Sequence, residues 1–261
     1  MDTLGVLTDF YTNYDEDGRL LSRHGSVEFL TTMRYIEKYL RPGMRILEIG
    51  AATGRYSHTL ARMGYQVDAV ELVQHNIYLF CEKTAPTEDV TIRQGDARDL
   101  SFYESNTFDV TLLLGPMYHL FTESDQKQAL SEAIRVTKPG GVIFAAYCGN
   151  EATMVQYCFG KGMILDPHLR SLIDPVTFKA SSDPAELFQL YRKEEIDALM
   201  AEFPVERLHY VGTDMATNYI RPTIDAMDDE LFDLYLQYHF SICERSDCVG
   251  TSHHILDIFR K

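Results

Sequence analysis

The stretch Ile46-Leu47-Glu48-Ile49-Gly50-Ala51-Ala52-Thr53-Gly54 constrains the fold of this 261-residue chain more than any other segment. An apolar run ends in an acid, then in glycines and alanines. Arg55 to Met63 follows with helical periodicity, closed by Gly64 where helices commonly turn off. A strand that opens into a helix through small residues lets a ligand approach the backbone closely. In open α/β sheets such ligands lie at the carboxyl ends of strands, near the point where strand order reverses.

The segments that follow repeat this plan. Gln66 to Val70 reads as a second strand, Gln74 to Lys83 as a helix and Val90 to Arg93 as a third strand. Phe108 to Leu114 is apolar nearly throughout, as a strand buried on both faces should be. Ser124 to Val136 reads as a helix, and Lys138-Pro139-Gly140-Gly141 turns into a fifth strand, Val142 to Tyr147. This succession predicts an α/β fold with a mostly parallel, doubly wound sheet. Residues 1–43 form a helical N-terminal segment, with apolar positions Phe29, Leu30, Met33, Ile36 and Leu40 at helical spacing. After Cys148 the alternation breaks. A helix at Lys193 to Phe203, a strand at Val205 to Val211, a helix at Asp228 to Cys243 and a last strand at Ser252 to Phe259 remain. We therefore expect one domain over 1–261, with a core at 44–148, lid helices at 149–190 and 215–246, and a final strand at 252–259.

A dinucleotide-binding protein would carry GxGxxG, with the pyrophosphate on the helix N-terminus. Here the glycines are spaced Gly-Ala-Ala-Thr-Gly, and Glu48 stands two residues before the first. A carboxylate there repels a pyrophosphate but suits the ammonium group of an amino acid. Charge sign thus favours S-adenosylmethionine over NAD. Residues 44–54 resemble motif I of the class I S-adenosylmethionine-dependent methyltransferases. Val70-Glu71 resembles that superfamily's second-strand acid, which binds both ribose hydroxyls. Gln94-Gly95-Asp96-Ala97 resembles the motif whose Asp meets the adenine amino group. Leu114-Gly115-Pro116-Met117-Tyr118 resembles the loop beside the methyl donor, and Lys138-Pro139-Gly140-Gly141 the turn before strand five. The resemblance covers roughly residues 44–147. It implies a Rossmann-like, seven-stranded sheet with an antiparallel last strand, and S-adenosylmethionine as cofactor. It implies a cofactor site made from Glu48, Gly50, Ala51, Ala52, Gly54, Tyr56, Glu71, Leu72, Asp96, Ala97, Leu114 and Gly115. One departure stands at Ala52, where the superfamily usually has Gly. Cofactor binding should survive a negative φ there, and a positive φ would put it in doubt.

Methyl transfer from a sulfonium is an in-line displacement with an already activated leaving group. Alignment and exclusion of water do most of the work. A base is needed only where the nucleophile arrives protonated. Tyr118 and His119, after strand four, are the candidates for proton handling or orientation. Tyr11, Tyr14 and His24 of the N-terminal segment, Tyr147 and Asn150 at the end of strand five, and Tyr238 of the late helix are candidate acceptor contacts. Adjacent strand residues point to opposite faces, so His253-His254 should not share an ion, and no metal is expected.

Composition narrows the acceptor. A net charge of −15 disfavours nucleic acid and anionic lipid. Sixteen Tyr and no Trp suit a pocket for an amine or phenol. Five Cys without a CxxC pair read as reduced thiols. The beginning of the chain lacks a secretory pattern, no apolar stretch spans a membrane, and a cytoplasmic location is the default. The expected activity is methyl transfer to a nitrogen or oxygen of a small molecule. The alternatives are a non-catalytic S-adenosylmethionine sensor and an RNA or protein methyltransferase. Oligomeric state is left open.

Overall fold

Strand β1 (Arg45–Ile49) sits at the centre of the sheet because its residues from Ile46 onward have both faces covered. It pairs in parallel with β2 (Gln66–Glu71) on one side and β4 (Phe108–Leu113) on the other. β3 (Val90–Gln94) extends the first side, and β5 (Thr137–Gly149) the second, both parallel. The computed structural model describes residues 3–14, 16–186 and 188–261. Across the sheet the order is β3-β2-β1-β4-β5-β8-β7, with β8 (His254–Arg260) antiparallel to both β5 and β7 (Glu206–Gly212). This is the mostly parallel sheet with an antiparallel last strand that the sequence predicts. A two-residue strand, β6 (Leu190–Tyr191), adds an eighth member beside Cys148 and Gly149 of β5. It has no periodicity from which a strand could be read.

Helices cover both faces. On one, α3 (Arg23–Tyr39) and α4 (Arg55–Arg62) enclose a core of Ile36, Leu60, Val110, Phe144 and Ile258. On the other, α6 (Glu123–Val136) and α9 (Lys193–Met200) pack over Leu47, Phe108, Ile143 and Phe259. Helix α5 (Gln74–Lys83) buries Phe80 against Ala51 and Ala69. Burial of these apolar side chains, at roughly 25 cal/mol per Å² removed from water, is the main force holding the layers together.

The N-terminal segment is more helical than its sequence suggests. α1 (Thr3–Asn13) and α2 (Glu16–Leu21) precede α3, which starts at Arg23 because the Ser22 hydroxyl caps it, accepting from the Gly25 N–H at 3.0 Å. The excursion after β5 holds α7 (Asn150–Thr153), a π-helical turn (Met154–Phe159) and α8 (Pro167–Ser171). The one after β7 holds α10 (Arg221–Asp225) and α11 (Asp229–Ile242). α11 does not reach over the sheet edge. It docks beside α3, where Phe232, Ile224 and Val27 form a cluster of their own, while Cys243 just beyond it joins the α3 core. Residues from both expected lid segments, among them Tyr157 and Leu172 of the first and Thr217 and Arg221 of the second, line a cavity at this edge, while Phe232 of α11 packs with Val27 of α3.

Candidate functional site

Two cavities open at the carboxyl edge of the sheet. The inner one, of about 410 Å³, is lined by the turn Gly50 to Thr53, by Glu48, Glu71 and Leu72, by Asp96 and Ala97, and by Leu114 and Gly115. The outer one, of about 450 Å³, lies between α1, the 149–190 excursion and the start of β8. Tyr11, Arg19, Glu28, Tyr118 and His254 line both, so the two spaces meet along these side chains.

The turn after β1 is built for close approach. Gly54, at φ 89°, caps α4, and a Cβ there would stand 2.5 Å from the Phe80 ring. Ala52 also lies in the left-handed region, at φ 46°, contrary to the negative φ on which the sequence argument rested; the positive φ strains the residue itself and leaves its N–H turned toward the β2 carboxylate. The backbone thus takes the conformation that Gly would adopt, at a cost of roughly 1–2 kcal/mol for a residue with a Cβ. That conformation aims the Ala52 N–H at Glu71 Oε2, 2.8 Å away. Glu71 Oε1 accepts from the Val73 N–H at 2.9 Å and Asn76 Nδ2 at 3.2 Å. The carboxylate at the end of β2 is therefore fixed in place, and burial raises its pKa above the usual range.

Glu48 is 2% exposed and accepts from both the Ser57 N–H (2.9 Å) and the Ser57 hydroxyl in the first turn of α4. It also lines the inner cavity. Burial pushes its pKa up to about 8, against the pull of the Ser57 bonds and with the help of the Glu71 charge. Among the described residues no cation pairs with Glu48 or Glu71. Two buried carboxyl groups without a paired cation suit a positively charged ligand, and S-adenosylmethionine carries an ammonium and a sulfonium. Asp96 lines the same cavity but is engaged by Arg98, whose guanidinium and backbone N–H both donate to it. Arg98 also bridges to Asp125. Burial raises the Asp96 pKa less than Arg98 lowers it, so it stays ionised.

Of the twelve cofactor candidates, all but Gly54 line the inner cavity; Gly54 shapes the turn from behind. Tyr118 and His119 stand on the short turn Pro116–His119 after β4. The Tyr118 hydroxyl donates to the Leu114 carbonyl, and His119 Nε2 meets the Tyr11 hydroxyl at 2.8 Å. That contact fastens α1 across the inner cavity. Tyr14, stacked on Phe10, and His24, held by Asp225, line the outer cavity.

Three acceptor candidates lie elsewhere. Tyr147 is fully buried on the α9 side of β5, against Tyr191 and Met200, because strand parity turns Ala146 and not Tyr147 toward the cofactor. Asn150 is also fully buried, and clamps the loop at 178–180 by accepting from the Ala180 N–H and donating to the Phe178 carbonyl. Tyr238, 57% exposed on α11, lines neither cavity.

A polar cluster at the seam escapes a motif-based reading. Arg19 pairs with Glu28, whose Oε2 lies 3.2 Å from His254 Nδ1, and His254 Nδ1 lies 2.9 Å from Asp214 Oδ2. Burial lowers the His254 pKa, but the Glu28 and Asp214 charges outweigh it and the net shift is upward. His253, just before β8, is driven down to about 3 by burial. Alternation along a strand was the argument against a shared ion. It does not apply, because His253 precedes the strand that begins at His254, and the two rings stand 4.6 Å apart. The signal for this cluster is an acid near the carboxyl end of a strand, Asp214 two residues after β7, as Glu48 and Glu71 lie near the ends of β1 and β2.

The fold and the two buried acids define a Rossmann-like protein with a site for a cationic nucleoside cofactor. Residues 46–141 match the methyltransferase domain family. A cypemycin N-terminal methyltransferase from Streptomyces is 34% identical over 128 residues, 46% of this chain and 51% of that protein. A ubiquinone biosynthesis O-methyltransferase from Caulobacter vibrioides is 31% identical over 110 residues, 40% of each chain. The chain thus spans about half the length, or less, of these curated relatives. A solved S-adenosylmethionine-dependent methyltransferase from Thermotoga maritima, titled a possible histamine N-methyltransferase, superposes with a TM-score of 0.59. That superposition covers 98% of this chain and 99% of that one, and at 16% identity it speaks for the fold alone. Residues 46–141 are thus a methyltransferase domain, and S-adenosylmethionine is the cofactor that this similarity implies.

Proposed function

We propose that the chain transfers the methyl group of S-adenosylmethionine to a nitrogen or oxygen of a small molecule seated in the outer cavity. One observation carries this reading: the two cavities share a wall of five residues, so a donor in one and an acceptor in the other meet there. When bound, the cofactor supplies an electrophilic methyl on sulfur. Glu71 would hold its ribose, Glu48 its ammonium end and Asp96 its adenine amino group, with Leu114 and Gly115 beside the methyl donor. The Tyr11–His119 contact closes α1 over the space and keeps water from the sulfonium. In this reading His119, on the wall of the inner cavity, takes the proton of a nucleophile that arrives protonated and reaches across from the outer cavity. The outer wall is largely apolar and aromatic, with Phe10, Tyr14, Leu172 and Phe188 among its members, which suits an amine or phenol with an apolar body. The relatives' names point the same way, one to an amino terminus and one to a quinone-pathway oxygen.

The test is a panel of amines, phenols, catechols and peptide amino termini incubated with S-adenosylmethionine, reading S-adenosylhomocysteine by mass spectrometry. The reading expects one chemical class to turn over far above background. Tight cofactor binding with no turnover on any class would favour a sensor on this fold.

A further inference from the structure

We propose that Asp214, His253 and His254 form a binding site for a divalent transition-metal ion at the seam between the two cavities. One ligand-capable atom from each lies within 4.8 Å of the other two. The convergence follows from topology. Gly212 at the end of β7 is in register with Ile255 of β8, so the residues just after one strand and just before the other share a corner.

The donors are held in place. Asp214 Oδ1 accepts from the Ser252 hydroxyl at 2.7 Å and from the His253 N–H at 2.8 Å, which stops the carboxylate from rotating. Its Oδ2 is the atom that faces His254 Nδ1. His253 Nδ1 is buried and has no hydrogen-bond partner. A desolvated imidazole nitrogen without a partner is unfavourable, and a bound ion relieves it. Glu28 Oε2, already 3.2 Å from His254 Nδ1, is within reach as a further ligand. Two imidazoles and a carboxylate with positions left open suit zinc, iron, cobalt or nickel better than magnesium or calcium, which take oxygen-rich sites.

Location and charge give the ion a use. His254 lines both cavities, while Asp214 and His253 line the outer one, so the open positions face the acceptor space. Arg19 pairs with Glu28, so the ion's charge falls on the Asp214 carboxylate and on an acceptor oxygen bound at an open position. This use of the ion rests on the methyl-transfer reading; the metal site itself does not.

The test uses the full chain without a tag, stripped with a chelator and titrated with cobalt(II) chloride, reading visible d–d absorption. The account expects one saturable equivalent, displaced by zinc chloride. His253→Ala and Asp214→Asn should each weaken it at least about tenfold. His253→Ala is the safer variant, since no side-chain hydrogen bond to Nδ1 is lost, and its thermal melt reports folding. No saturable absorption up to about 1 mM cobalt would overturn the proposal, as would equal binding in both variants, which would place the ion on the acidic surface. Cofactor titration of the metal-free protein is measured separately, so failure here leaves the cofactor reading standing.

Discussion

Replacing Ala52 with Gly should stabilise this protein, although the same change at its neighbour Ala51 should destabilise it. Ala52 sits at φ 46°, where a Cβ costs about 1–2 kcal/mol. Gly removes that strain, but the unfolded chain gains freedom worth roughly 0.5–1 kcal/mol. The net gain is about 0–1.5 kcal/mol, or up to about 6 °C in Tm for a chain of this size. Ala51 does not have a positive φ, and its methyl is buried against Phe80. Ala51→Gly therefore loses packing as well as entropy, at about 1 kcal/mol or more. Urea or thermal denaturation of the two variants reads the difference directly. The Ala52 N–H to Glu71 bond depends on the left-handed turn and not on the methyl, so Ala52→Gly should bind S-adenosylmethionine at least as tightly as the parent. Destabilisation of both variants by similar amounts would refute the strain assignment and the turn geometry with it.

Three other outcomes follow. Glu48 has a folded pKa of about 8, above its ordinary 4.5, so its contribution to ligand-free stability is lost as pH rises through that interval. Calorimetry should show cofactor binding releasing about one proton near neutrality, with affinity rising about tenfold per pH unit from about 5.5 to 7 and levelling near 8. His119→Gln should lower kcat about a hundredfold to ten-thousandfold for an acceptor that must lose a proton, and far less for a free amine, as steady-state kinetics on both would show. Tyr238→Ala, on an exposed face of α11, should leave kcat/KM within a factor of two, or about 0.4 kcal/mol.

The central strands were legible because the physics that places them is local. β1, β2 and β4 are buried along most of their length, so apolar residues dominate them despite Glu48, Asp68, Asp109 and Thr111, and Gly50 follows directly on β1. The cofactor side of the site followed, since each of its acids sits at a strand end. The acceptor side was less legible. Whether Tyr147 or Ala146 faces the cavity depends on the parity of β5, which the turn at Lys138 to Gly141 sets through a register shift against β4. Tyr238 carries the same helical spacing as a cavity wall would, and only the docking of α11 on α3 decides its exposure. The seam cluster joins Arg19, Glu28, Asp214 and His254 from four separate stretches of chain, and no spacing rule brings them together.

Calorimetric titration with S-adenosylmethionine, alongside NAD and the Glu71→Gln variant, tests the central claim most directly. The account predicts single-site micromolar binding of S-adenosylmethionine, none of NAD, and a loss of at least tenfold, about 1.4 kcal/mol, in the variant. Binding of NAD with comparable affinity, or S-adenosylmethionine binding indifferent to Glu71, would contradict it.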